Sequence, residues 1–331
     1  MTQSEKLKAR VRGVLAFPIT PYAADGSVDL DAVRANARWL PDAGIDAVVA
    51  PSGTGELFGL SPAECVDVVR STVEAIGGRI PVIASVGFGP RVGAELARGA
   101  EAAGADGILV LPPYYGTPDP AGLAEYYREV AAATSLGVMP YARDAVVFTP
   151  EGVEQMARDI PNMVAFKDGR GDVRLFQRIR EHVVERLGED RLVWLAGAGD
   201  DLVAPYFAVG AEGYTSSLAC FWPEASVELL RLARAGDRKE LGRFHQRVVR
   251  PIYELRQRRR GYEVAVMKTA MELLGHRAGV ARPPLGNLRS AERAELADIL
   301  RRLEVPSAAE RAARPAPLTE SAPERTAVAH R

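Results

Sequence analysis

The 331-residue sequence contains little cysteine and little histidine. Cys65 and Cys220 are its two cysteines, which is too few for a disulfide framework, and they form no Cys-x-x-Cys pair. The four histidines stand singly, without a His-x-x-x-His pair or a Cys/His cluster. The sequence therefore predicts no zinc site of the common kinds, no bound metal, and a protein of the reducing cytoplasm.

Long apolar runs and an excess of charge are also missing. No stretch reaches about 18 uninterrupted apolar residues, the length typical of a membrane-spanning helix. The first twelve residues are polar and contain no apolar segment of the signal-peptide kind. The 42 basic and 43 acidic residues nearly cancel, so no net charge attracts nucleic acid or anionic lipid. We therefore expect a small-molecule partner, with neither nucleic acid nor a membrane as a target.

Lysine is the scarcest of the charged residues. It accounts for five of the 42 basic residues, at positions 6, 8, 167, 239 and 268, and arginine supplies the rest. In a chain that uses arginine almost everywhere for solvated positive charge, a lysine next to apolar residues is a candidate for chemistry.

Residues 13–235 alternate short apolar runs with longer segments of helical periodicity, eight of each. The apolar runs lack polar alternation, which indicates strands buried on both faces, as in a parallel sheet. Eight such units predict a (β/α)8 (TIM) barrel in the α/β class. The alternative, a doubly wound open sheet, would favour a Gly-x-Gly-x-x-Gly turn after the first strand, and the sequence has none.

The flanking segments differ from the barrel pattern. Residues 1–12 form an N-terminal segment, and three helical stretches in 236–306 predict a C-terminal helical extension. From 307 to 331 the composition shifts to Ala, Pro, Glu, Arg, Ser and Thr, which predicts a disordered tail.

Reactive groups of barrel enzymes lie at the carboxyl ends of the strands. Lys167 ends the apolar run 163–166, and burial among aliphatic groups would lower the pKa of its amine, as a Schiff-base nucleophile requires. Tyr141 ends the preceding strand, beside Lys167, and its phenol could relay protons. The alternatives are a lysine paired with Asp168 and a tyrosine packed over the barrel mouth.

Ser52, Gly53, Thr54 and Gly55 follow the second strand and predict a turn whose N–H groups and hydroxyl converge on a small carboxylate. Thr215 and Ser216 end the eighth strand and could donate to a polar substrate, although such hydroxyls often satisfy only local backbone. Four further residues near strand ends are weaker candidates: Glu56 as base or cap, Tyr115 at the mouth, Arg143 for a carboxylate, and Asp200 as a helix cap beside a possible phosphate site.

These motifs resemble the dihydrodipicolinate synthase/N-acetylneuraminate lyase superfamily. The resemblance covers about residues 13–288 and rests on Gly53-Thr54-Gly55-Glu56, the tyrosine ending strand five and the lysine ending strand six. Within it, three segments are most similar to 5-dehydro-4-deoxyglucarate dehydratases: Tyr141-x-Arg143-Asp144, Phe166-Lys167-Asp168-Gly169 and Tyr214-Thr215-Ser216-Ser217.

The resemblance implies roles for individual residues. Lys167 would form an imine, Tyr141 would shuttle protons, Thr54 with the backbone of Gly53 and Gly55 would hold a 2-oxo-acid carboxylate, and Tyr115 would reach across a tight dimer. Two positions depart from the pattern: Ala142 stands where the dehydratases usually have Asn, and Gly53 replaces the first Thr of the synthases. The synthases' Tyr–Thr–Tyr relay then cannot operate unchanged, and a hydroxyl such as Ser52 or Ser216 could substitute.

The implied reaction is the conversion of 5-dehydro-4-deoxy-D-glucarate to 2,5-dioxopentanoate, carbon dioxide and water by a cofactor-free homo-oligomer. The alternatives are another Schiff-base lyase of the superfamily, such as a 2-keto-3-deoxy sugar acid aldolase or a pyruvate-dependent synthase. A non-catalytic sugar-acid sensor and a phosphate-binding barrel are further alternatives.

Overall fold

A computed structural model describes residues 3–113, 118–144 and 146–313 of the chain. Eight parallel strands follow one another around a closed barrel, and the first pairs with the last, with Ala16 opposite Ser216. The predicted (β/α)8 barrel is confirmed. The strands are β1 Val14–Ala16, β2 Ala47–Val49, β3 Val82–Val86, β4 Gly107–Val110, β5 Gly137–Ala142, β6 Ala165–Asp168, β7 Val193–Ala196 and β8 Gly213–Ser216.

Every residue of these eight strands is buried, because the barrel interior covers one face and the helices cover the other. This explains why the sequence shows apolar runs instead of alternation. β5 and β6 place Tyr141 directly opposite Lys167 in register, so the two strand ends lie side by side.

The helices pack around and beyond the barrel. They are α1 Gln3–Arg10, α2 Leu30–Arg38, α3 Pro62–Ile76, α4 Pro90–Ala102, α5 Pro120–Ala132, α6 Pro150–Asp159, α7 Val173–Leu187, α8 Val203–Ala208, α9 Pro223–Ala235, α10 Arg238–Phe244, α11 Arg250–Gln257, α12 Tyr262–Leu273, α13 Ser290–Arg302 and α14 Ala308–Ala312. None of the described helices is long and apolar enough to cross a bilayer. α3 begins with the capping box that Ser61 and Glu64 predict, and α6 with the Thr149 cap before Pro150.

The structure differs from the predicted flanking segments in two places. The first of the three helical stretches predicted in 236–306 is divided into α10 and α11 by a π-helical turn, His245–Val249. The segment predicted as a disordered tail starts with an ordered helix, α14, which a Ser307–Glu310 capping box begins. The Arg311 guanidinium on α14 pairs with Glu224 and lies 4.6 Å from the Trp39 ring centroid, which docks this helix on the barrel.

Candidate active site

A cavity of about 360 Å³ opens at the carboxyl ends of the strands. Its volume lies within the range typical of small-molecule sites. It is lined by strand ends, by the loops that follow them and by residues of the C-terminal extension: Phe17, Ser52, Gly53, Thr54, Glu56, Leu57, Phe58, Gly59, Leu111, Tyr141, Arg143, Asp144, Lys167, Gly197, Ala198, Gly199, Thr215, Ser217, Arg256, Glu263, Val264, Arg282, Pro283, Pro284 and Leu285.

Lys167 lies at the floor of this cavity, 2% exposed. Its Nζ atom is 3.2 Å from the centroid of the Tyr141 ring and 5.0 Å from that of Phe17. Desolvation by burial lowers the pKa of the Lys167 amine well below its ordinary value. The positive charge of Arg143 acts in the same direction, against a smaller opposing effect of Asp168. The amine is therefore suited to be neutral, and nucleophilic, near neutral pH.

Asp168 does not form the ion pair with Lys167 that the alternative interpretation required. Successive strand residues point to opposite faces, so Lys167 faces the barrel interior while Asp168 faces the helices. There the Asp168 carboxylate accepts hydrogen bonds from the Tyr206 hydroxyl and, at 3.0 Å, from the Arg170 amide.

Tyr141 is buried, and its hydroxyl accepts a hydrogen bond of 3.0 Å from Nη1 of Arg143. Burial raises the pKa of the Tyr141 phenol, and the neighbouring Arg143 charge opposes that rise. The resting group is therefore a protonated phenol, and the guanidinium beside it can stabilise a transient phenolate. At rest Tyr141 is therefore a proton donor, and it can act as a base only after it has given up that proton.

The turn after β2 borders the same cavity through Ser52, Gly53 and Thr54. No hydrogen bond among the described residues uses the backbone N–H of Gly53, Thr54 or Gly55 as a donor. Gly55 lies behind the turn, where an added Cβ would be 3.0 Å from the backbone nitrogen of Ser52, so only glycine fits this close approach. The turn is therefore able to offer free amide donors to a small anion.

Glu56 holds this turn against the extension, and it is committed to a buried ion pair. Its Oε1 atom is 2.7 Å from Nζ of Lys268 on α12, and its Oε2 atom accepts a 2.8 Å hydrogen bond from the Arg282 backbone N–H. Glu56 itself has a left-handed backbone, with φ of 57°. The Glu56 carboxylate thus holds the turn and the 282–285 loop together. This role differs from both roles considered from the sequence, a general base and a cap of the adjacent turn.

The two hydroxyl residues predicted at the end of β8 are separated by the structure. Thr215 lines the cavity, whereas Ser216 points away from it, donating to Asp200 and lying 2.8 Å from the Ser226 hydroxyl. Ser216 is thus corrected from a substrate contact to a support of the loop, because neighbouring strand residues alternate between faces. Ser217, the next residue in the chain, lines the cavity instead.

Asp200 is neither a cap of the following helix nor part of a phosphate site. Its carboxylate accepts hydrogen bonds from the Tyr253 hydroxyl at 2.7 Å and from the Ser217 backbone N–H at 3.3 Å. It thereby fastens the loop after β8 to α11. Because Asp200 is buried and does not line the cavity, it is not available to a phosphate bound there.

Seven cavity residues come from the extension, and none of them was predicted as a site residue: Arg256, Glu263, Val264 and the loop residues Arg282, Pro283, Pro284 and Leu285. Arg256 donates a 2.6 Å hydrogen bond to the Ser217 hydroxyl. In the sequence it belongs to an arginine-rich stretch, with Arg258, Arg259 and Arg260 close by. The composition of that stretch gives no sign that one of its arginines faces the barrel.

The predicted Tyr115 lies outside the described residues. The other predicted residues that line the cavity are Lys167, Tyr141, Arg143, Ser52, Gly53, Thr54 and Thr215. Together they combine a buried amine, a phenol beside it and an anion-accepting turn. That combination can form an imine with a 2-oxo acid and move protons to and from the adduct.

Comparison with known proteins agrees with this geometry. A model of the dihydrodipicolinate synthetase family matches residues 10–303. A relative from Saccharopolyspora erythraea is 40% identical over 291 residues, covering 87% of this chain and 93% of the relative. One from Streptomyces coelicolor is 41% identical over 295 residues, covering 88% and 93%. Both carry the name "Probable 5-dehydro-4-deoxyglucarate dehydratase", the second with the number 1.

Solved structures extend the comparison to the whole fold. Dihydrodipicolinate synthase from Bacillus clausii superposes with a TM-score of 0.84 at 29% identity, covering 90% of this chain and 99% of that one. A prophage protein of the dihydrodipicolinic acid synthase family from E. coli K12, in complex with pyruvate, gives a TM-score of 0.80 at 29% identity, covering 89% and 99%. The barrel, the extension and the sequence thus agree, and the chain belongs to the dihydrodipicolinate synthetase family.

Proposed function

We propose that this protein is a decarboxylating dehydratase that converts 5-dehydro-4-deoxy-D-glucarate to 2,5-dioxopentanoate, carbon dioxide and water. The observation that carries the proposal is the buried Lys167 amine, unpaired with Asp168 and stacked against the Tyr141 ring. The relatives' shared name supports the substrate, and the related structure with pyruvate supports a 2-oxo acid as the reacting group.

The first stage is imine formation. The neutral amine of Lys167 attacks the C5 ketone, and the free amides of the 53–55 turn hold the adjacent C6 carboxylate. Tyr141 donates a proton to the carbinolamine oxygen, which leaves as water. Arg143, hydrogen-bonded to that phenol, stabilises the phenolate that forms for a moment.

The second stage uses the protonated imine as an electron sink twice. The Tyr141 phenolate removes a C4 proton to form an enamine, which expels the C3 hydroxyl as water and leaves a conjugated iminium. The electron pair of the C1–C2 bond then moves into that iminium as carbon dioxide departs. Protonation at carbon, ketonisation at C2 and hydrolysis of the imine release the product and restore the amine.

Borohydride reduction in the presence of substrate, followed by peptide mapping, tests the proposal. We expect the adduct on Lys167, and we expect Lys167→Ala to lower turnover by at least three orders of magnitude, because a covalent route is lost. Carbon dioxide and 2,5-dioxopentanoate are measured in parallel. Release of pyruvate in their place would identify an aldolase and contradict the proposal.

The pH dependence of trapping provides a control on the amine. Because burial lowers the pKa of Lys167, the neutral amine should persist down towards neutral pH, and the trapping rate should be nearly constant there. An amine with the ordinary lysine pKa would lose about tenfold in rate for each pH unit below it. Trapping on Lys268 would refute the assignment of the nucleophile.

We also propose that the protein acts as a cytoplasmic homo-oligomer. Phe58 is about half exposed at the cavity edge and packs edge-on against Phe88, with 5.0 Å between ring centroids, which supports a covered surface there. Light scattering should give at least twice the 35.6 kDa chain mass, and a monomer at micromolar concentration would contradict this.

A further inference from the structure

Three arginines line the cavity, and two of them pair with a carboxylate of the chain. Arg282 binds Glu64 with Nη2 at 2.6 Å and also donates to the carbonyls of Gly26 and Gly59. Arg143 donates to the Tyr141 hydroxyl and pairs with Asp144 at 3.3 Å. These two guanidinium groups have their partners within the chain.

Arg256 is held differently. One edge of its guanidinium donates to the Ser217 hydroxyl at 2.6 Å, and its central carbon lies 4.4 Å from the Tyr253 ring centroid. Within the described part of the chain it is paired with no carboxylate. A guanidinium carries five N–H donors, so most of those of Arg256 remain for a ligand.

The described acids around this part of the cavity form no ion pair with Arg256. Asp200 is buried and accepts from Ser216, Tyr253 and the amides at 217 and 218. Asp201 accepts from Gln257 at 3.2 Å. Glu263 and Asp144 also line the cavity, and both are exposed to solvent. None of these carboxylates neutralises the Arg256 charge by direct contact.

The supports of Arg256 are themselves fixed. The Asp200 carboxylate binds both the Tyr253 hydroxyl on α11 and the Ser217 amide after β8. A single buried carboxylate therefore orients the ring beneath the guanidinium and the hydroxyl beside it. Such a fixed, cationic and incompletely paired group at a cavity wall is suited to bidentate binding of a carboxylate.

We propose that Arg256 binds the second carboxylate of a dicarboxylic 2-oxo acid, the one at the end of the substrate remote from the imine carbon. This inference rests on the proposed function, which makes that group the C1 carboxylate. Lys167 and the turn at 53–55 engage C5 and C6, so the remainder of the six-carbon chain extends to another part of the cavity wall. There Arg256, hydrogen-bonded to Ser217, meets the carboxylate.

Binding of the C1 carboxylate by Arg256 has two consequences. It selects dicarboxylic over monocarboxylic 2-oxo acids, because a neutral chain end leaves the guanidinium without its anion. It also fixes the C1–C2 bond relative to the conjugated iminium, so that its electron pair can move into that system. The ion pair ends when the carboxylate becomes neutral carbon dioxide, which Arg256 therefore does not retain.

Binding of two unreactive six-carbon acids tests this inference without requiring turnover. Both 2-oxoadipate and 2-oxohexanoate carry a ketone next to a carboxylate, and only the first has a second carboxylate. Borohydride trapping on Lys167 gives the half-saturating concentration of each. We expect the unaltered protein to prefer 2-oxoadipate by tenfold or more, the value of one charge-assisted contact.

Arg256→Gln should reduce that preference to threefold or less by raising the half-saturating concentration of 2-oxoadipate alone. Trapping of pyruvate, which has no second carboxylate, reports that the variant is folded. Arg143→Gln is the matched control: it should slow trapping of every acid, through Tyr141, and keep the preference for 2-oxoadipate. A preference that survives Arg256→Gln, or that Arg143→Gln abolishes, overturns the inference.

The test separates this inference from the proposed function. If the unaltered protein prefers 2-oxoadipate but does not turn over 5-dehydro-4-deoxy-D-glucarate, the function is wrong and the second-carboxylate site remains. If it turns the substrate over and shows no preference, the site is wrong and the function remains. If no acid is trapped on Lys167, both are overturned.

Discussion

At the scale of single residues, two buried lysines show how a partner decides a role. Lys268 is as buried as Lys167, but the Glu56 carboxylate at 2.7 Å and the Val280 carbonyl at 3.0 Å accept from it. Burial lowers the pKa of Lys268 only to about 8, since Glu56 opposes the shift. Lys167 has no such carboxylate, so burial acts on it almost unopposed. Lys268 therefore stabilises the structure, whereas Lys167 is available for chemistry.

The space around Lys167 depends on one glycine after β7. A Cβ added at Gly197 would lie 2.6 Å from Cε and 2.8 Å from Nζ of Lys167, closer than real side chains approach. Gly197→Ala should therefore displace the amine and lower the rate of imine trapping at least tenfold, because small misplacements of a reacting group are costly. The trapping rate with pyruvate measures this.

A matched substitution separates this crowding from a general effect of alanine. Gly286→Ala places its Cβ where no atom lies within 4 Å, and its trapping rate should equal that of the unaltered protein. Circular dichroism of both variants reports the fold. Trapping by Gly197→Ala within twofold of the unaltered rate would show that Lys167 moves aside without loss.

At the scale of strands and helices, the sequence predicted the barrel and the place of two candidate residues at the ends of neighbouring strands. Apolar runs between helical segments mark strands buried on both faces, and a polar residue at the end of such a run stands out. Tyr141 and Lys167 were found in this way, and their pairing in register follows from adjacent parallel strands. The 53–55 turn was found from its glycines.

The residues that the C-terminal extension contributes to the cavity could not be predicted from the hydrophobic pattern of the sequence. Helical periodicity indicates which face of α11 or α12 is buried, but not which barrel loop that face contacts. Arg256, Lys268 and their partners Ser217 and Glu56 are separated by at least 39 residues in the chain. The end of β8 at Ser216 was predicted correctly, but the pattern did not show which of its hydroxyl residues faces the barrel interior, since neighbouring strand residues point to opposite faces.

At the scale of the whole molecule, separate segments outside the barrel close its two ends. The extension covers the carboxyl ends of the strands, where Arg256 and Arg282 enter the cavity. The opposite end is closed by α1, whose Leu7 is buried. Leu7 packs closely against the start of β5: a Cβ added at Gly137, the first residue of that strand, would lie 2.8 Å from a methyl carbon of Leu7. In the sequence, Leu7 and Val11 lie one helical turn apart among the mostly polar residues 1–12. This apolar pair was the feature from which the closing helix could have been predicted.

Truncation of Leu7 tests this closure. Leu7→Ala should lower the free energy of unfolding by about 3 kcal/mol, because a cavity forms between α1 and the starts of β4 and β5. Lys6→Ala, on the exposed side of the same helix, should change it by less than about 0.5 kcal/mol. Urea denaturation followed by fluorescence measures both. Imine trapping on Lys167 should be unaffected by either substitution, since the amine lies at the other end of the barrel. Equal stabilities of the two variants would mean that α1 is dispensable and that the barrel tolerates an open end.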